Sequence, residues 1–130
     1  MAFPPLSRVI HPSFTGYTDR ELPCVYVASF DGGIQVPASH LIGGTAQSQW
    51  HYDQAVQAIE RIRDGYALAI PGIADNLACG LWLDNGVYYF DVSTSFHDVA
   101  DALDFGRDNN QISVYDSESG GTVAVLYRSE

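Results

Sequence analysis

The sequence predicts an α+β fold, in which an antiparallel sheet of about five or six strands carries a single layer of two helices. The clearest observation is Asn85-Gly86 between two runs that alternate apolar and polar residues, which is the strongest short signal of a β-hairpin. Two further segments have apolar residues at helical spacing, and several short β-branched runs are bounded by turn residues. The 130 residues suit one domain, with residues 1–22 as an irregular N-terminal arm.

The hairpin at Asn85-Gly86 predicts its own register, because a type I′ turn contains two loop residues and pairs the residues on either side of them. The predicted pairs are Asp84 with Val87, Leu83 with Tyr88, Trp82 with Tyr89 and Leu81 with Phe90. The face that we expect to be buried carries Leu81, Leu83, Tyr88, Phe90 and Val92. The opposite face carries Trp82, Asp84, Val87, Tyr89 and Asp91.

The remaining strands are short and are separated by turn residues. They are predicted over residues 24–30, 34–36, 66–70, 111–115 and 122–127. Asp31-Gly32-Gly33 is predicted to be a tight turn after which the chain returns as the second of these strands.

The first helix is predicted from about Ser48, as its N-cap, to Asp64, with Gly65 as its stop. Its predicted buried face consists of Tyr52, Ala55, Val56, Ile59, Ile62 and Tyr66. The second helix is predicted to begin at Ser95, because Ser95 and Asp98 have the spacing of a capping box. Its predicted buried face consists of Phe96, Val99, Ala100 and Leu103.

A candidate partner-binding surface follows if the second helix continues beyond Leu103. One acidic stripe would then contain Asp98, Asp101, Asp104 and Asp108, with Phe105 on it and Glu118 as an outlying acid. An exposed aromatic residue among carboxylates is typical of a binding hot spot for a basic partner. In the alternative, the helix ends at Leu103 or Asp104, Gly106 is a left-handed stop and Phe105 packs on the sheet.

Trp82 and Tyr89 form a second candidate surface. If both helices cover the face that carries Leu81, the two aromatic rings face solvent and are available to a partner. If one helix covers each face of the sheet, the rings belong to the core. A homodimer through the Trp82 face or through a free strand edge is left open.

The charge of the chain favours one class of partner. Sixteen acidic residues and six arginines, with no lysine, give a net charge of -10. Residues 84–130 contain nine of the acids and two of the arginines. This balance disfavours direct binding to nucleic acid or to an anionic membrane and favours a basic protein partner. The alternative is that the charge serves only solubility.

Few residues support a chemical site. Cys24 and Cys79 are not a CxxC pair and are interpreted as buried, reduced thiols. The histidines, which are His11, His40, His51 and His97, have no metal-ligand spacing. We therefore predict no cofactor, no catalytic metal and no catalytic residue. Pairing of either thiol with His40 remains the enzyme hypothesis. No signal peptide or membrane-spanning run is recognised, so the prediction is a cytoplasmic protein.

Residues 81–116 contain the runs W-L-D-N-G and A-L-D-F-G-R-D-N-N-Q-I-S-V-Y-D. They resemble a C-terminal segment of small uncharacterised proteins of bacterial phages and mobile elements. The resemblance covers about a quarter of the chain, implies a mobile-element setting and carries over no catalytic residue.

Together, the charge and the resemblance predict a non-enzymatic inhibitor of a basic, nucleic-acid-handling protein in a bacterial host. An anti-CRISPR or anti-restriction protein is its most specific form. The alternatives are an immunity protein that neutralises a cationic toxin and a small Cys/His enzyme.

Overall fold

The computed structural model describes residues 3–20 and 25–126 and has an α+β fold with helices on an antiparallel sheet. The strands in these ranges are β1 (Gly16–Thr18), β2 (Tyr26–Ser29), β3 (Ile34–Pro37), β4 (Leu77–Asp84), β5 (Val87–Phe96), β6 (Ser113–Asp116) and β7 (Gly121–Ala124). The α-helices are α1 (Leu6–Val9), α2 (Ala46–Ala69) and α3 (Val99–Asp108). The predicted fold class is confirmed, with seven described strands where about five or six were expected.

The central strand β5 has β4 along one side and both β2 and β3 along the other, in the order β1-β4-β5-β2-β6-β7. Ser29 pairs with Ser93, and Ile34 pairs with Phe90, so β2 and β3 run in the same direction. The prediction of a returning turn at residues 31–33 is therefore wrong. These residues form a bulge between β2 and β3, because both of these strands pair with β5.

The β4–β5 hairpin has the predicted register in all four pairs nearest the turn. Asn85 and Gly86 have φ values of 48° and 76°, as a type I′ turn requires. Leu81 and Phe90 are buried as predicted, but Leu83 is 38% exposed. The prediction fails for Leu83 because β1 pairs with β4 only as far as Trp82 and leaves the outer side of Leu83 open. Its partner Tyr88 lies between β4 and β3 and is buried.

Helix α2 is longer than predicted at both ends. It begins after Thr45, whose hydroxyl accepts a 3.1 Å hydrogen bond from the backbone N–H of Ser48. It continues through Gly65, so the strand predicted at residues 66–70 is wrong. The reason is tertiary packing, since Tyr66 stacks on Phe30 with ring centroids 3.9 Å apart. The predicted apolar face is confirmed, with three of its residues buried and three partly buried: Tyr52, Ala55, Ile59, then Val56, Ile62 and Tyr66.

Helix α3 begins at Val99, with Asp98 as its N-cap. The carboxylate of Asp98 accepts a 2.7 Å hydrogen bond from the backbone N–H of Ala100. The predicted start at Ser95 is wrong because β5 extends that far and pairs Ser95 with Val27 of β2. The buried positions are Ala102 and Gly106, and Ala100 is exposed.

The N-terminal arm is not irregular throughout, contrary to the prediction. It contains α1 and β1, and it contributes Phe3, Leu6 and Val9 to the main core. Short elements of three or four residues carry too few positions to show a period in the sequence. Residues 1, 2, 21 and 22 of the predicted arm, Cys24 and Tyr127 lie outside the described residues.

Both longer helices pack on the same face of the sheet. Cross-strand partners point to the same side, and the pairs Cys79–Val92, Leu81–Phe90 and Ala28–Thr94 therefore share one face. Helix α2 packs on β4 and β5 there, and α3 packs on β2 and β6. We call this side the covered face. The other side, with Trp82, Tyr89, Asp91, Ser93 and Ser29, is the open face.

In the described ranges, no helix combines the length and the apolar character needed to cross a membrane.

Candidate functional site

The acidic stripe predicted on the second helix is present in the structure, because α3 continues to Asp108. Asp101, Asp104 and Asp108 are spaced three and four residues apart, so they lie on one side of the helix. All three are exposed, as is Asp98 at the N-cap. Ala102, on the other side, is fully buried against the sheet. The stripe therefore points away from the sheet into solvent.

The four carboxylates of the stripe are not equally available. Asp104 accepts a 2.9 Å hydrogen bond from Nη1 of Arg107, which partly compensates its charge. Asp98 is engaged in capping the helix. Asp101 and Asp108 therefore carry most of the unpaired charge of the stripe. Glu118 lies apart from it, in the turn between β6 and β7.

Phe105 is not the exposed anchor predicted at the centre of the stripe. Its ring makes an edge contact with Phe30 at 4.9 Å and a tilted contact with Phe96 at 5.1 Å. It packs against both hydrophobic clusters, one under α2 and one under α3. The alternative in which Phe105 packs on the sheet is therefore correct, although the helix does not end before it.

Gly106 is helical and not the left-handed stop of that alternative, since its φ is not positive. A Cβ atom at this position would lie 3.1 Å from Val125 and 3.2 Å from Val114. Glycine therefore lets α3 approach β6 closely.

Trp82 and Tyr89 lie on the open face, as expected if both helices cover the other face. Their rings stack with centroids 4.5 Å apart and an angle of 18° between the planes. Trp82 is 44% exposed and Tyr89 is half-buried. Trp82 is thus the most exposed aromatic residue of the candidate surfaces.

The carboxylate of Asp91 lies beside Trp82 on this face. The indole Nε1–H of Trp82 donates a 2.9 Å hydrogen bond to Oδ2 of Asp91. The other carboxylate oxygen lies against the bulge at residues 31–33, so close that a Cβ atom on Gly33 would be 2.6 Å from it. Burial raises the pKa of Asp91 above its usual value, and the indole hydrogen bond lowers it by less. The alternation along β5 predicted that Asp91 lies on this face, but it did not predict the bulge that encloses the carboxylate.

The described thiol, Cys79, is fully buried on the covered face. Its sulfur lies 3.8 Å from Nη1 of Arg63, and its backbone N–H donates to Asp19. Burial raises the pKa of Cys79 to about 11, with Asp19 adding to the shift and Arg63 opposing it. At neutral pH this group is a thiol and therefore a poor nucleophile. His40, its suggested partner, stacks on His51 at 4.8 Å.

Within residues 3–20 and 25–126, no group of three or more His, Cys, Asp or Glu side chains is arranged to hold a metal ion. Comparisons of the chain with protein-family models, with curated proteins and with solved structures find no match.

Proposed function

We propose that this protein is a non-enzymatic binding protein whose acidic stripe on α3 engages a basic protein partner. The observation that supports the proposal is the row of exposed carboxylates at Asp101, Asp104 and Asp108 on the solvent side of a helix anchored by Ala102. A stripe of this kind accelerates and orients encounter with a positively charged surface.

The most specific form of the proposal has a nucleic-acid-handling protein as the partner. Carboxylates spaced along a helix would occupy the place of phosphates in a basic channel, so nucleic acid would compete for it. In a bacterial host with mobile elements, the partner is a defence effector, and the protein is an anti-CRISPR or anti-restriction protein acting in the cytoplasm. An immunity protein against a cationic toxin uses the same chemistry and differs only in the partner.

The second surface in the proposal is the open face around Trp82. Since Phe105 packs against both hydrophobic clusters, the exposed aromatic anchor of this second surface is Trp82, with Asp84 and Asp91 on the same face. The stripe on α3 points away from the covered face, so the two surfaces lie on opposite sides of the sheet. A single compact partner would use one of them.

The enzyme hypothesis receives less support. A nucleophilic cysteine needs a lowered pKa and access to substrate, whereas Cys79 is buried and its pKa is raised. Cys24, the other candidate, lies outside the described residues. We therefore propose that Cys79 has a structural role in the core.

The proposal is tested with a pair of charge-matched variants. Asp101→Lys/Asp108→Lys reverses the unpaired part of the stripe, and Asp53→Lys/Asp75→Lys makes the same change of net charge at exposed positions outside α3. Each variant and the wild type serve as bait in a bacterial lysate. A basic protein retained by the wild type and the control, and lost from the stripe variant, supports the proposal.

With that partner purified, association kinetics refine the test. Reversal of the stripe should slow association by roughly tenfold or more and flatten its dependence on salt. The association rate of the control variant should fall much less. Equal reductions in the association rate of both variants, or no reduction in either, would contradict the role of the stripe and favour Trp82 as the binding surface. Competition by nucleic acid separates a nucleic-acid channel from another basic surface.

A further inference from the structure

A cleft opens at the β1 end of the sheet, between α1 and the segment that leads into β1. Its volume is about 450 Å³, within the range of ~300–1,000 Å³ that is common for small-molecule sites. The side chains that line it include Arg8, His11 and Phe14, together with the hydroxyls of Ser7, Ser13 and Thr15.

The charge of this cleft is opposite to that of the chain. Residues 3–18 contain Arg8 and His11 but no aspartate or glutamate, although the whole chain carries a net charge of -10. The guanidinium carbon of Arg8 lies 5.8 Å from the ring centroid of Tyr17, a cation–π distance that restrains a flexible side chain. None of the salt bridges among the described residues involves Arg8. Its positive charge is therefore available to a ligand.

His11 adds a directed hydrogen-bond donor. Its Nδ1 accepts a 3.1 Å hydrogen bond from the backbone N–H of Ser13 and lies 2.7 Å from the hydroxyl of the same residue. Because Nδ1 is an acceptor, the neutral imidazole carries its proton on Nε2. The Ser13 hydroxyl donates to Nδ1 and is therefore occupied. The cleft thus offers a guanidinium fork, an imidazole N–H and the hydroxyls of Ser7 and Thr15, with Phe14 as an aromatic wall.

We propose that this cleft binds a small phosphate monoester. An arginine fork matches two oxygens of a phosphate group, and the imidazole and hydroxyl donors suit its remaining oxygen and its ester oxygen. Phe14 contacts the organic part of the molecule. A carboxylate, with two oxygens, leaves several of these donors unused.

The proposal is independent of the function proposed for α3. The cleft lies beside β1, at one end of the strand order, whereas α3 packs on β2 and β6 toward the other end. A variant of Arg8 leaves the acidic stripe intact, and a variant of the stripe leaves the cleft intact. Failure of one proposal is therefore distinguishable from failure of the other.

Phenyl phosphate is the probe for the test, with binding measured by calorimetry at low salt on the full chain. The wild type should bind it saturably, and Arg8→Gln should weaken binding roughly tenfold or more. The matched control is Arg61→Gln, which removes an exposed arginine from α2 and should leave binding unchanged. Melting temperatures establish that both variants fold. If Arg8→Gln fails to fold, Arg8→Lys keeps the charge, removes the fork and should weaken binding by a smaller factor.

Further probes decide which part of the molecule is recognised. Phenol and benzoate should bind more weakly than phenyl phosphate, and inorganic phosphate should also bind more weakly because it makes no contact with Phe14. The proposal would be overturned if benzoate or phenol bound as tightly as phenyl phosphate, or if phenyl phosphate showed no saturable binding. Equal losses of affinity in Arg8→Gln and Arg61→Gln would also overturn it. Arg8-dependent binding to anionic phospholipid vesicles without binding to phenyl phosphate would also overturn it, in favour of a lipid surface.

Discussion

The covered and open faces of the β4–β5 hairpin are built from alternating residues of the same two strands, yet they differ sharply in exposure. Leu81 and Phe90 are at most 1% exposed, whereas Trp82, one position from Leu81, is 44% exposed. Apart from Thr94, the buried residues of the covered face are apolar, while the open face combines an aromatic stack with the carboxylate of Asp91. The difference shows that the side on which the helices pack, and not the strand sequence itself, decides which aromatic residues are available to a partner.

The largest expected effect is on the covered face. Phe90→Ala should reduce the free energy of unfolding by about 3–5 kcal/mol, because it leaves a cavity between α2 and the sheet. Chemical denaturation measures the loss. A loss below about 1 kcal/mol would mean that this face is not the main core.

A smaller loss of stability is expected at Phe105, where the covered face meets α3. Phe105→Ala should cost about 2–3 kcal/mol, less than Phe90→Ala because the ring is only half-buried. Binding of a partner to the folded variant should change little. Unchanged stability together with faster dissociation of a partner would restore Phe105 as an interface anchor.

Substitutions on the open face should cost less stability than substitutions on the covered face. Trp82→Ala removes a stacked ring and the donor to Asp91, and we expect a loss of about 1–2 kcal/mol in the free energy of unfolding. If Trp82 is the anchor of an interface, the same variant should also speed dissociation of the partner roughly tenfold or more. A loss as large as that of Phe90→Ala would show that the open face is covered in solution, for example in a homodimer.

The smallest effect concerns the proton on Asp91. Its pKa is raised in the folded state, mainly by burial, so its contribution favours the folded state at acid pH. This contribution is lost as the pH rises through the folded pKa. Asp91→Asn keeps an acceptor for the indole N–H and carries no charge. Its melting temperature relative to the wild type should therefore increase between about pH 3 and pH 7. A decrease over this range would show that the ionised carboxylate is stabilised.

Local signals predicted the parts of this fold that depend on neighbours in the sequence. The positive φ angles that Asn85-Gly86 supplies specify the hairpin and its register, and the period of α2 specifies its buried face. Predictions failed where a distant strand decides the outcome. Ser95 has the local features of an N-cap but pairs with Val27, and residues 31–33 have the composition of a hairpin turn but form a bulge along β5.

In the candidate sites, too, some features follow from the local sequence and others depend on contacts with distant residues. The stripe on α3 was predictable, because it needs only the helical period and a helix that continues. The inward position of Phe105 depends on its contacts with Phe30 and Phe96, and Phe30 is distant in the sequence, so no local pattern predicts it. The cleft near Arg8 was missed because α1 and β1 are too short to be recognised before their packing is known.

Strand β5 lies between β4 on one side and β2 and β3 on the other, and this position has a consequence for the order in which the chain folds. Strands β1, β2 and β3 take all their described partners from residues beyond 76. During synthesis, the first half of the chain therefore has no sheet to join until the β4–β5 hairpin has emerged. That hairpin closes over two residues, whereas β1 must close a loop of roughly sixty. Folding is expected to nucleate at Asn85-Gly86, with φ-values from mutants high in the hairpin and near zero in β1.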